Sequence, residues 1–184
     1  MKNFFVTATL FTLLILASSS IVSAQTENLK VIGYATIDGT MQGKLKTDDG
    51  NQQSKIKIYG LEYQANQLTG ISTNMITGKR QQSPVTITKP LSYCTPQLYQ
   101  ALYTNEVLKS VMIELVKRQT DGSEMVYYTI KLTNATVSKI SEKAEPVAAS
   151  FSNNLPLEEV SFSYQRIEME HKEGKTMVMD NIGN

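Results

Sequence analysis

Tryptophan is missing from this chain, and it carries a single cysteine and a single histidine among 184 residues. One cysteine, Cys94, excludes an internal disulfide and most thiolate metal sites. One histidine, His171, excludes a multi-histidine zinc centre. It would also have to serve in any Ser-His-Asp or Cys-His arrangement. His171 lies in the charged run Glu168 to Glu173, which reads as a solvated strand end rather than a tuned general base. An excess of either charge is missing too: eighteen Lys and Arg stand against seventeen Asp and Glu. So balanced a surface has no electrostatic pull on nucleic acid or anionic lipid.

Other motifs fail for stated reasons. Gly78-Lys79 is followed by Arg80 and has no glycine five positions upstream, so it is not a phosphate loop. Asp48, Asp49 and Asn51 around Gly50 read as a turn, since calcium needs a fuller set of oxygens. Asn134-Ala135-Thr136 fits a glycosylation acceptor but falls in a strand pattern. Cys94 reads as a small residue packed at a helix entry, although a helix dipole could lower its pKa. No cofactor and no catalytic set is expected.

The long apolar run is confined to the start. Lys2 precedes Phe4 to Leu16, and small residues lead to Val22-Ser23-Ala24. That pattern predicts a secretory signal over residues 1–24, cleaved before Gln25; it is too short for a stable membrane anchor. Removing Lys2 leaves seventeen basic against seventeen acidic residues.

What remains reads as mainly β with one short helix. Val31 to Ile37 is a first strand closed by Asp38-Gly39, and Thr40 to Ser54 is a long polar loop of the kind that is functional or mobile. Ile56 and Ile58, then Leu61 and Tyr63, mark a second strand whose apolar parity switches at Gly60, as at a bulge. Val85 and Ile87 alternate with Thr86 and Thr88. Thr95 before Pro96 is a helix start, with the Thr95 oxygen as the cap. Leu98, Ala101 and Leu102 give that helix an apolar side with Tyr99 and Tyr103 beside it, suited to plugging a barrel. Val111, Ile113 and Leu115, the turn Asp121-Gly122, and Met125 to Leu132 form a hairpin, and Thr136 to Ile140 continues it. The final strand is expected at Val160 to Met169, with its apolar residues changing face partway. Residues 172–184 show little periodicity and are expected to form a loose tail.

The segments Thr77 to Asn105, Tyr127 to Ala135 and Glu158 to Ile167 resemble the haemolysin-coregulated protein (Hcp) family, the inner-tube proteins of type VI secretion. The resemblance implies a small β-barrel of two packed antiparallel sheets with one flanking helix, here over residues 25–171. It also implies a homo-hexameric ring that stacks into a tube, works with spike and sheath proteins, and carries effectors. The loop after the first strand would contact adjacent subunits, through Met41, Lys44, Lys46, Asp48, Asp49 and Gln52. Matching the next strand to the family's channel-facing one turns Glu62 toward the lumen; the chain departs from the family pattern there, with no flanking tryptophans. Family members assemble in the cytoplasm before secretion, whereas the leader points to a secreted or periplasmic protein. Three readings stay open: a fortuitous apolar lead, an exported ring former, or an exported monomeric barrel that binds a small molecule or partner.

Overall fold

The computed structural model describes residues 30–47, 55–66, 81–143 and 156–182. The proposed leader, the segment Asp48 to Ser54 and the Asp49-Gly50 turn lie outside the described residues. Strand β1 (Gly33–Gly39) alternates buried and half-buried residues, as the apolar pattern requires. It pairs antiparallel with β2 (Ile56–Ile58) on one side and with β7 (Leu108–Arg118) on the other. Strand β7 then pairs with β8 (Glu124–Lys143), which runs unbroken for 20 residues and joins the two segments separated in the sequence pattern. Asp121-Gly122 makes the intervening turn, with Gly122 at φ 86 and the Asp121 carboxylate accepting the Ser123 amide.

Beyond β8 the sheet divides. The second half of β8 pairs with β9 (Leu157–Ser163), which pairs with β6 (Val85–Pro90) and then β3 (Gly60–Glu62). The first half pairs instead with β10 (Arg166–His171). The segment expected as one final strand is therefore two, separated at Tyr164 and Gln165. Its apolar parity switches opposite Asn134, at φ 49, where the buried residues of β8 change parity as well, from Ile130 and Leu132 to Ala135 and Val137. Nor is the C-terminal segment loose throughout: β11 (Thr176–Asn181) forms a full ladder with β10. Its side chains are mostly exposed, so no buried periodicity announced it in the sequence.

Closure takes an unexpected form. The sheet runs β2-β1-β7-β8-β9-β6-β3, and its two ends are successive pieces of one chain segment. Up to Ile58 that segment pairs with β1; from Tyr59, whose amide donates to Thr88 O at 2.8 Å, it pairs with β6. The sheet is thus curled and tied covalently at Tyr59-Gly60, with no continuous ladder across the join. Gly60 suits this crossing, because a Cβ there would lie 2.7 Å from Thr88 Oγ1 and push that side chain aside. A separate two-stranded ribbon joins β4 (Ala65–Asn66) to β5 (Gln81–Gln82).

Side chains fill the interior. Ile37, Ile58, Ile87, Val111, Ile113, Leu132, Val160 and Phe162 are all essentially inaccessible. Helix α1 (Thr95–Thr104) adds Leu98 and Ala101 to this core, while Tyr103 on its far side stays exposed. The helix begins where Pro96 predicts, but Thr95 does not cap it. Cys94 occupies the cap position without a side-chain capping bond.

The Thr95 hydroxyl is drawn elsewhere. It accepts the Ser92 amide at 3.0 Å and donates to Glu158 Oε1 at 2.6 Å. The same carboxylate oxygen receives Lys89 Nζ, whose side chain, like that of Glu158, is wholly buried. Lys89 Nζ also donates to Pro90 O at 2.6 Å and lies 3.3 Å from Thr95 Oγ1. Lys89 and Glu158 are register partners on the core side of β6 and β9, so the ion pair fastens this ladder beneath the helix entry. Sequence reasoning missed it because a lysine at the end of an alternating strand reads as solvated. A second buried carboxylate oxygen, Glu158 Oε2, has no hydrogen-bond partner among the described residues.

Removing one member of such a pair strands a buried charge, whereas removing both does not. Lys89→Met should lower unfolding free energy by about 3–5 kcal/mol in urea titration. Adding Glu158→Leu should restore most of it.

Candidate assembly surface

The described part of the predicted contact loop leaves β1 at Gly39 and is held at its root. Asn105, at φ 52, ends the helix and turns the chain so that Glu106 points back toward the loop. Glu106 is only 2% exposed. Its Oε1 accepts the amides of Met41 at 2.7 Å and Gln42 at 3.0 Å, and its Oε2 accepts Gln42 Nε2 at 2.8 Å. Burial pushes this carboxyl's pKa up, but the bonds from Gln42 and Met41, with Lys109 nearby, outweigh it and hold the group below its ordinary value. Gly39 makes room for the carboxylate: a Cβ there would stand 2.3 Å from Glu106 Oε1.

Of the residues proposed for this loop, Met41, Lys44 and Lys46 are exposed, and Met41 retains 65% of its accessibility. Lys44 forms an isolated bridge to Asp38. Leu45 and Thr47 turn inward and are buried. Asp48, Asp49 and Gln52 lie outside the described residues.

Glu62 sits on the face opposite the core. Its register partner is Thr86, which pairs with Ser161, which pairs with Lys139. The adjacent row places Thr88 opposite Glu159 and Glu159 opposite Ser141. Thr86 Oγ1 and Ser161 Oγ are hydrogen-bonded at 2.8 Å. This wall of the sheet is polar, rich in hydroxyls and mixed in sign.

The β10–β11 hairpin has a different character. On the core-side face Val178 continues the row Ala35, Ile113, Ile130, Met169. Met177 and Met179 occupy the other face, opposite Glu170 and Glu168. Met177, Val178, Met179 and Ile182 are between 46% and 65% exposed. Strand β11 pairs with β10 alone among the described residues, so its outer backbone edge is unpaired there. Between this hairpin and the β4–β5 ribbon lies an open groove of about 350 Å³ lined by Tyr63, Ala65, Gln82, Ile167, Met169 and Val178.

Neither candidate reactive group is set up for chemistry. His171 Nδ1 accepts the Gly174 amide at 3.0 Å and shapes the hairpin turn, with the rings of Tyr127 and Tyr128 each 6.2 Å away. The Cys94 thiol is fully buried, and burial raises its pKa. Among the described residues no group of three His, Cys, Asp or Glu side chains could hold a metal, and no helix is long and apolar enough to cross a membrane.

Comparison with known proteins matches this arrangement. The family described as "Type VI secretion system effector, Hcp" matches residues 34–171. The "Major exported protein" of Pseudomonas aeruginosa is 28% identical over 163 residues, spanning 80% of this chain and 93% of that protein. Among solved structures, one described as "Hcp protein" superposes with a TM-score of 0.72 at 22% identity, covering 81% of this chain and 98% of the other. The Hcp1 protein of E. coli EAEC 042 superposes at 0.69 with 25% identity, covering 83% and 99%.

Glu106 has a folded pKa below its unfolded value, so its contribution to stability is complete above the unfolded carboxyl pKa of about 4.3. That contribution is lost as pH falls through the lower folded value. Glu106→Gln should flatten this part of the acid limb in pH-dependent urea titrations. Gly39→Ala should destabilise by about 1–3 kcal/mol, because it displaces the buried carboxylate from the Met41 and Gln42 amides.

Proposed function

The chain belongs to the Hcp family of type VI secretion proteins, and from that membership we propose that it is a structural subunit whose copies close into a hexameric ring. Rings stack into a conduit, with spike and sheath proteins as partners and effectors carried in the lumen. The observation that carries this reading is the β11 edge. A strand whose outer edge has no partner among the described residues, with exposed methionines and valine on its faces, is an unstable surface for a solitary protein in water and a ready seat for a second copy. The filled interior supports the same reading, since a monomeric barrel for small molecules would need a cavity there.

The roles of the loop and of Glu62 follow from the ring. Met41, Lys44 and Lys46, with Asp48, Asp49 and Gln52 beyond them, contact adjacent copies. Glu62 and the hydroxyl-bearing wall beside it face the lumen, where a polar, near-neutral lining lets folded cargo pass without sticking. The protein acts outside the cytoplasm, exported by its leader over residues 1–24. Both the relative's name, "Major exported protein", and the apolar run support export.

Native mass spectrometry of residues 25–184 tests the ring: a hexamer is expected, and a strict monomer at high concentration would favour an exported binding protein. Val178→Lys together with Met179→Lys should convert the hexamer to folded monomer with an unchanged far-ultraviolet spectrum. Excising Asp48 to Ser54 should weaken assembly far more than it lowers the urea midpoint; equal losses would assign the loop to folding.

A further inference from the structure

Glu106 spends its buried carboxylate on the loop rather than on the core, and the loop's other backbone groups are met in the same way. Gly39 N donates to Gly43 O at 2.8 Å, Thr40 N to Val107 O at 3.0 Å and Leu45 N to Ile37 O at 3.0 Å. The Gln97 side chain accepts the Lys46 amide at 2.8 Å, and Gln42 Nε2 donates to Gln97 O at 3.0 Å as well as to Glu106. A solvent-facing turn bearing exposed Met41, Lys44 and Lys46 is therefore ordered from beneath by the helix end and one carboxylate.

We propose that Glu106 is a positioning residue for assembly: it presets the Gly39–Lys46 turn in the isolated subunit, so that Met41 meets a second copy without first being ordered. This rests on the ring-forming reading above. Ordering a loop at an interface subtracts from affinity, and a turn already fixed avoids that loss. A buried carboxylate suits the task because it only accepts. Met41 N, Gln42 N and Gln42 Nε2 all present protons to it, whereas a glutamine would bring an NH2 against the Gln42 amide donor.

Among the described residues, Lys109 is the charged group that acts on Glu106. Lys109 favours its ionised form, and Asp38 stands 4.0 Å from Lys109 Nζ. Gln42, Gln97 and Met41 bring no charge of their own. Acid should therefore loosen the turn through Glu106 itself.

The experiment compares the wild-type chain with Glu106→Gln and Glu106→Ala by amide hydrogen exchange and by the concentration dependence of the hexamer in sedimentation. Exchange at Met41 and Gln42 should accelerate by about tenfold or more in Glu106→Gln, with β7 and β8 protection retained. The concentration at half-assembly should rise by about tenfold per subunit contact at neutral pH. Lowering the pH through the carboxyl range should bring wild-type assembly toward that of Glu106→Gln, while the variant changes less. Unchanged exchange at Met41 and Gln42 overturns the proposal, as does faster exchange with undiminished assembly; in both cases the ring itself stands. A wild-type chain that never leaves the monomer overturns both readings together.

Discussion

Backbone pairing along β8 is the constraint from which the rest of the molecule follows. β7 pairs with this 20-residue strand from Glu124 to Ala135, and the opposite side is shared, because β9 covers its second half and β10 its first. The chain changes from one partnership to the other at Tyr164 and Gln165. Burial, with a hydrogen bond to Tyr63, raises the pKa of the Tyr164 hydroxyl, which donates to Gln82 Oε1 at 3.2 Å. Once β10 has left the curled part of the sheet, β11 can only extend it outward. The β11 edge, unpaired among the described residues, is thus a consequence of how β8 is divided.

The buried polar contacts do related work in two places. Lys89, Glu158 and Thr95 tie the β6–β9 ladder to the helix entry, and Glu106 ties the helix exit to the loop after β1. The short helix Thr95–Thr104 is held at both ends by carboxylates, while Leu98 and Ala101 between them pack into the core. The first contact is costly to desolvate, so its net stabilisation is small, while loss of either partner alone strands a buried charge. The second is made entirely with loop donors, so together with buried Leu45 and Thr47 it fixes the loop's position relative to the core.

Much of the architecture was legible in the residues themselves. Alternation at Val85 to Thr88 and Val111 to Leu115, the Asp121-Gly122 turn and Pro96 at the helix start each gave an element that the structure contains. Gly60 was readable as a discontinuity, but not as the point where the strand exchanges β1 for β6. The tail over residues 172–184 misled, because β11 buries little and so lacks the periodicity that reveals a strand. Thr95 misled differently: its local cue for capping was sound, and a buried carboxylate from a strand more than sixty residues away claimed the hydroxyl instead. Met41, Lys44 and Lys46 were found exposed on the loop where expected, yet Glu106, which orders that loop, carried no local signal at all.

By itself the sequence determined most of the strands, the start of the helix, the inward face of the clearly alternating strands, and the absence of multi-histidine and disulfide chemistry, because these depend on composition and on spacing over a few residues. Tertiary structure alone decided which strand is left at the edge, where the sheet is tied to itself, and which carboxylates are buried. Those outcomes depend on register between segments far apart in the chain, and the alternation of residues within a strand is the same whichever partner lies beside it.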